Sequence, residues 1–363
     1  MKSNPRIAFV IDSLPSLGGA EKVLFTALEI YPQADIFTLI YNKEVFKSTP
    51  VAEREIKTSY LDRFPLAHRH HRMFLPLMPA AIERFNLQKY DLIVSFSYAV
   101  AHGVHNFNGA RHVSYTYTPM RYAWTDINLD GTHTNRNIIV DKLLQAFCRW
   151  DRKAAARVHQ FAAVSQAVSR RIQSAYQREA PVIYPPVEVD RFQPNGQRED
   201  YYVTVSRLVP HKRIDLLVEA FTELNLPLLI IGDGAELPRL RALAGSNIRF
   251  LGYQTDESVI ELMSKARGFV CAAEEDFGIA IVEAQAAGCP VIVYGRGGAL
   301  ETVLDGTTGV LFSEQTKESL IEAILQFERI HSSFCVDDLV QQAKRFDKTR
   351  FIDRFVEFVE PTM

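Results

Sequence analysis

The sequence predicts an α/β protein made of two doubly wound domains, each a parallel sheet covered by helices on both faces. Three observations carry that expectation. Short β-branched runs alternate with longer segments of helical period along almost the whole chain. The chain has 363 residues, 47% of them apolar and 23% charged, which is enough to fill two cores of ordinary domain size. Near the middle, the run from Ile183 to Phe192 holds paired prolines that forbid helix, and polar turn residues follow it.

The second half shows the alternation most cleanly. Strands are expected at 202–208, 228–232, 248–252, 268–273, 290–294 and 309–312, separated by helices near 214–222, 235–244, 256–266, 278–287 and 299–304. The first half repeats the theme less regularly, with strands expected at 6–11, 36–41, 92–97, 113–118 and 161–165 and helices near 20–31, 143–158 and 167–176. The domain bounds are then 1–183 and 199–345, with a linker at 184–198. Phe346, Phe351, Phe355 and Phe358 recur at helical spacing, so a last helix over 346–360 must bury that stripe.

Composition excludes several classes. Forty-one Lys plus Arg against 43 Asp plus Glu give a net charge of −2, so no chain-wide basic footprint exists and nucleic acid is not expected as a partner. Any anion site must be local. Cys148, Cys271, Cys289 and Cys335 are scattered without a CxxC pair, which indicates neither a disulfide framework nor a zinc cluster and suggests a reducing compartment. The first apolar run, Ile7 to Ile11, ends in Asp12 and reads as a buried strand rather than a signal peptide. No stretch of about 18 apolar residues exists to span a membrane. A cytoplasmic protein is expected, with contact at the inner face of the membrane as an option.

In open α/β sheets ligands bind outside the carboxyl ends of the strands, so function is sought in the loops that follow them, facing a cleft between the two halves. Leu17-Gly18-Gly19-Ala20-Glu21 follows the first strand and opens the first helix. Paired glycines there let an anion approach the open amides of a helix start, although the plainer reading is a tight turn. The pattern is not GxGxxG, which argues against a nicotinamide cofactor. Ser206 to Asp215 follows the first strand of the second half. Its Arg207 and Lys212 suit a diphosphate gripped by a fork and a point charge, whereas alone they would read as a solvated basic turn. Ala273 to Ala284 places Glu275 after a strand, Gly278 at a helix start and Glu283 on that helix. Two carboxylates there could accept hydrogen bonds from sugar hydroxyls, and an acid in so apolar a helix is costly to bury idle.

With these residues in view, the chain resembles the retaining family 4 glycosyltransferases of GT-B fold. The resemblance rests on the acid pair Glu275 and Glu283 with seven residues between them, on EDFG, on the AAGCPVI strand and on the GGALETV turn. More narrowly, SRLVPHKRIDLLVEAF, AEEDFGI, YGRGGALETV and TPMRYAW resemble bacterial mannosyltransferases that build O-antigen and other surface polysaccharides. The resemblance implies two Rossmann-like domains facing across a cleft, with the C-terminal helix crossing back to the first. It implies that Arg207 and Lys212 grip the donor diphosphate, that Glu283 holds the ribose and that Glu275 contacts the donor sugar. Phe277, Gly278 and Ile279 would offer amides to sugar and phosphate, Gly232 would line the donor site, and Gly18 and Gly19 would approach the phosphate from the other domain. Tyr117 stands where such relatives often have histidine, and with an ordinary pKa near 10 it is a poor base. His102 and Arg121 are expected in the acceptor or sugar vicinity.

The expected activity is retaining transfer of a hexose, mannose from GDP-mannose, to a lipid-linked or oligosaccharide acceptor in surface-polysaccharide synthesis. No Asp-x-Asp pair occurs in the chain, so neither a metal nor another cofactor is expected. A second class stays open, a non-catalytic nucleotide-sugar-binding subunit, motivated by Tyr117; a third, an epimerase of the same fold, is disfavoured by the Glu275 to Glu283 block. The segment from Tyr60 to Pro79 sets Arg63, Arg69 and Arg72 and His68, His70 and His71 among Phe64, Met73, Phe74, Leu75 and Met78. That mixture suits an anionic bilayer, or equally an internal helix with a solvated basic face.

Overall fold

The computed structural model describes residues 5–107, 109–124, 138–194 and 198–360; the side chains of 69–72, 122 and 138–141 also lie outside the description. The chain divides into two compact units, Met1–Pro186 together with Phe351–Met363, and Val187–Arg350.

The first unit holds six parallel strands: β1 (Ile7–Ile11), β2 (Asp35–Thr38), β3 (Ile56–Thr58), β4 (Leu92–Ser97), β5 (Arg111–Thr116) and β6 (Gln160–Ala163), ordered β3-β2-β1-β4-β5-β6. β1 and β4 are buried along their whole length, as strands covered on both faces are; β1 is apolar throughout, and the two serines of β4 are hydrogen-bonded to His112 and His102. The second unit repeats the plan with β7 (Tyr202–Val205), β8 (Leu228–Ile231), β9 (Ile248–Gly252), β10 (Gly268–Cys271), β11 (Val291–Tyr294) and β12 (Gly309–Phe312), ordered β12-β11-β10-β7-β8-β9. Each sheet therefore reverses direction beside its own first strand, between β1 and β4 and between β7 and β10. Those reversals are the switch points where such sheets leave a crevice.

The two crevices differ. β1 and β4 stay paired from Ile7↔Leu92 to Ile11↔Phe96, and the buried carboxylate of Asp12 then accepts the amides of Tyr98, Ala99, Val100 and Ala101 at 2.5 to 3.0 Å. Burial pushes that carboxyl group up, while the amide donors favour its ionised form. β7 and β10 pair only at Gly268↔Tyr202 and Phe269↔Val203, so their pairing ends well before the loops that carry Arg207 and Glu275.

Several strands end earlier than their apolar runs. Leu39, Ile40, Leu208, Ala272 and Ala273 are buried yet lie beyond the ends of β2, β7 and β10, because the post-strand loops fold inward and use apolar residues as the strands do. β3 went unread in the sequence. It is a three-residue edge strand, and Lys57 within it reaches Asp35 of β2 at 2.6 Å. That pair, with Tyr90, holds the Asp35 carboxyl group down at about 2 against its desolvation.

The last helix, Lys348–Val359, belongs to the first unit from Phe351 onward. Phe355 is fully buried and meets Phe96 of β4 at 6.0 Å, Tyr115 of β5 at 6.0 Å and Phe351 at 5.1 Å between ring centroids. Arg111 then caps the helix, donating to the carbonyls of Phe358 and Val359 at 3.1 and 2.6 Å, where the end of a helix concentrates negative potential. Phe351, Phe355 and Phe358 are thus the seam by which the C-terminal chain returns, whereas Phe346, expected in the same stripe, precedes the helix and belongs to the second unit.

Candidate active site

In the second unit, residues 206–213 leave β7, and Pro210–Lys212 close one turn of 3-10 helix. Arg213 follows at φ 50° and ψ 39°, the left-handed region, which costs a non-glycine residue about 1–2 kcal/mol. Its guanidinium is anchored to Asp215 at 3.2 Å and to the side-chain oxygen of Gln315 at 3.3 Å. This bend delivers Lys212 toward the loop after β10. There its ammonium donates to both oxygens of Glu275, at 2.6 and 2.8 Å, with the two side chains 18% and 21% exposed. Lys212 and Glu275, each picked out from the sequence, are thus brought together at the β7–β10 switch point.

Glu275 is itself fixed from behind, since its carbonyl accepts the Gly298 amide at 2.8 Å. Cys271, at the end of β10, lies 3.9 Å from the same carboxylate, and burial with that negative neighbour pushes its thiol up to about 12. It stays a neutral thiol. Arg207 is exposed and has no ion pair among the described residues, so its fork is available to a ligand.

Gly278 adopts φ 92° and starts the helix Ile279–Ala286 without any capping side chain. The amides of Ile279 and Ala280 therefore open the helix uncapped, a favourable place for an anion. Glu283 sits partly exposed one turn along it, and Phe277 is buried edge-on against Phe346 at 5.3 Å. Gly232 follows β8 at φ 127°, and a Cβ there would come within 2.0 Å of the Ser206 carbonyl. Only glycine lets these two post-strand loops lie so close.

The remaining predicted residues lie in the first unit. Gly18 is the N-cap and Gly19 the first residue of the helix Gly19–Ile30, and the Tyr117 hydroxyl donates to the Ala20 carbonyl at 2.9 Å. Burial, then the charges of Glu21 and Asp12 nearby, push the Tyr117 phenol well above its usual range. It is a neutral hydrogen-bonding group. Arg121 begins the short helix Arg121–Trp124.

His102 departs from its expected place beside the sugar. It is 1% exposed, its Nδ1 meets Ser97 Oγ at 3.0 Å, and its Nε2 lies 3.0 Å from Asp151 Oδ1, off the line of a hydrogen bond. The other oxygen of Asp151 accepts from Trp124 at 2.6 Å and from Tyr176 at 2.8 Å. Both ring nitrogens face inward, so His102 fixes its loop instead of meeting a ligand. Sequence reading also passed over Gln315 and Asp151, since neither belongs to a motif and each acts on residues distant in the chain.

Residues 187–345, most of the second unit, match the family described as glycosyl transferases group 1. An uncharacterized glycosyltransferase of Methanocaldococcus jannaschii is 28% identical over 51% of this chain and 53% of its own length. A GDP-mannose-dependent alpha-(1-6)-phosphatidylinositol monomannoside mannosyltransferase of Mycobacterium tuberculosis is 32% identical over 45% of this chain and 51% of its own. The chain spans about half the length of the curated relatives it matches. Among solved structures, HepE of Anabaena in complex with UDP and glucose has a TM-score of 0.74 at 20% identity, covering 99% of this chain and 100% of that one. Sucrose-phosphate synthase of Thermosynechococcus elongatus has a TM-score of 0.74 at 16% identity, covering 97% and 98%. The fold is accordingly GT-B.

Proposed function

We propose that this chain is a retaining glycosyltransferase that takes a hexose from a nucleotide diphosphate sugar, mannose from GDP-mannose, and passes it to a lipid-linked or oligosaccharide acceptor in surface-polysaccharide synthesis. One observation carries the proposal. At the switch point of the second sheet, Lys212 from the loop after β7 and Glu275 from the loop after β10 are held together, with the exposed Arg207 on the same loop as Lys212, within the segment matched by the family.

As the bond between the anomeric carbon and the diphosphate oxygen breaks, negative charge grows on the leaving group. Arg207, Lys212 and the amides at Ile279 and Ala280 stabilise that charge more than they stabilise the bound donor, which is the condition for catalysis. Lys212 exchanges one carboxylate contact for a diphosphate oxygen, and Glu275 turns its other oxygen to the sugar hydroxyls. The acceptor oxygen forms its new bond on the face from which the diphosphate departs, and the departing oxygen takes the acceptor proton. No protein base is needed, in keeping with the neutral Tyr117. The cations of the site take the place of a metal in neutralising the diphosphate, and the sequence carries no Asp-x-Asp pair.

The mannosyl donor is supported by the printed specificity of the Mycobacterium tuberculosis relative and of a Corynebacterium glutamicum relative 31% identical over 48% of this chain. A phosphatidylinositol-type acceptor in those relatives supports a lipid-linked one here. Membrane contact is supported by exposed Phe64, Leu66, Met73 and Leu77 beside Arg63, with no helix among the described residues long and apolar enough to cross a bilayer. Of the basic residues that motivated it, Arg69, His70, His71 and Arg72 have side chains outside the description. Sedimentation with liposomes should depend on anionic lipid; independence from it removes the membrane contact and leaves the transfer reaction standing.

A thermal-shift panel of nucleotide sugars tests the donor. A ligand present at about 100 times its dissociation constant adds about 2.7 kcal/mol to the folded state. GDP-mannose should raise the melting point more than UDP-glucose does, and mannose should then appear on the acceptor. A clear shift without transfer or donor hydrolysis would instead identify a nucleotide-sugar-binding subunit.

A further inference from the structure

Gln315 lies just beyond β12, outside every motif, and its side-chain amide is used at both ends. Its nitrogen donates to the Ala272 carbonyl at 2.7 Å, and its oxygen accepts from Arg213 at 3.3 Å, across 102 residues of sequence. The orientation is forced, because a carbonyl can only accept and a guanidinium can only donate. Ala272 directly follows β10 and stands three residues before Glu275, and Arg213 directly follows Lys212. The contacts therefore close a ring: Lys212 to Arg213 along the chain, Arg213 to Gln315, Gln315 to Ala272, Ala272 to Glu275 along the chain, and Glu275 back to Lys212.

Arg213 is the member under strain, held at φ 50° without being glycine. Its side-chain anchors oppose relaxation to negative φ, a change that would swing the preceding residue. We propose that Gln315 is a positioning residue for Lys212, holding the turn after β7 and the loop after β10 at the separation at which the ammonium can exchange a carboxylate oxygen for a diphosphate oxygen. The proposal rests on the second unit's site being a diphosphate site. Gln315 touches neither donor nor acceptor and acts through Arg213 and Ala272.

Calorimetric titration of GDP and UDP into wild type, Gln315→Ala, Gln315→Glu, Lys212→Ala and the double variant Gln315→Ala with Lys212→Ala tests it. Gln315→Ala should weaken the preferred nucleotide by about five- to tenfold, the scale of one hydrogen bond. Gln315→Glu keeps the Arg213 arm but sets a carboxylate oxygen against the Ala272 carbonyl, so affinity should fall at least as far as in Gln315→Ala. In the Lys212→Ala background the Gln315 substitution should cost nothing further, since its effect passes through Lys212. Wild-type affinity in both Gln315 variants, or an undiminished loss in the Lys212→Ala background, would overturn the proposal. The acylation rate of Lys212 by an amine-reactive reagent, read by peptide mass spectrometry, gives a second measure that needs no nucleotide. The rate should rise in Gln315→Ala, and an unchanged rate would overturn the positioning role. Should wild type bind neither nucleotide, the diphosphate site falls while that reactivity still decides whether Gln315 places Lys212.

Discussion

Lys212 and Glu275, 63 residues apart in sequence, share two hydrogen bonds at 2.6 and 2.8 Å between one ammonium and both oxygens of one carboxylate. The pair spans the β7–β10 switch point in a partly buried place. Removing the lysine leaves the carboxylate facing where a diphosphate would lie, so it subtracts an attraction and adds a repulsion. Lys212→Ala should therefore cut transfer at least about tenfold, since a lost donor to developing negative charge costs on the order of 3 kcal/mol in known sites. The melting point should stay within a few degrees of wild type, and steady-state kinetics beside a thermal melt checks both.

Tyr117→Phe separates a hydrogen bond from a proton transfer. Losing the donation to Ala20 should cost about 1 kcal/mol of stability. The pH profile of transfer should keep its shape, because the phenol is neutral throughout the working range. A missing limb in the variant's profile would give Tyr117 the role of a base.

His112 makes stability depend on pH. Burial first, then the charges of His102, His159 and Arg157, hold its folded-state pKa down at about 3, and Nε2 lies 2.9 Å from Ser95 Oγ. The unfolded chain takes up that proton near pH 6.5 and the folded one does not, so the contribution to stability is complete above about pH 6.5. It falls by up to about 1.4 kcal/mol per pH unit as pH drops from there toward 3. Urea unfolding of wild type and His112→Gln between about pH 5 and 7.5 should show a shallower slope in the variant.

Phe355 fastens the last helix to the first unit by ring contacts with Phe96, Tyr115 and Phe351. Phe355→Ala should destabilise that unit by about 3–5 kcal/mol. Nucleotide affinity measured well below the melting point should change little, because the residues proposed to grip the diphosphate lie in Val187–Arg350. Chemical denaturation paired with calorimetry would show the two effects apart.

Much of this was legible in the chain. Buried parallel strands are written as apolar runs, unbroken in β1 and β8 and interrupted only by small residues in β4 and β12, which is why these four could be read directly. The aromatic stripe of the last helix announced a surface it had to cover. Strand ends were harder, because Leu208 and Ala272 are as buried in loops as they would be in strands. Lys212 and Glu275 were visible because each sits at a turn with its own local signature. Gln315 was not: its role depends on a left-handed Arg213, and propensity gives no sign that a non-glycine residue will be held there. His102 was misplaced for a related reason, since a histidine five residues after the end of β4 carries no mark of whether its ring turns outward or toward Asp151.

The central claim is that the second unit captures a diphosphate through Lys212 and Arg207. Measuring the affinities of GDP and guanosine, with UDP and uridine alongside, isolates the diphosphate from the base. One nucleotide should bind wild type at least about 100-fold more tightly than its nucleoside, as two charge-assisted contacts would give, and Lys212→Ala should narrow this gap about tenfold or more. Equal affinities for nucleotide and nucleoside, or a gap that survives the substitution intact, would contradict it.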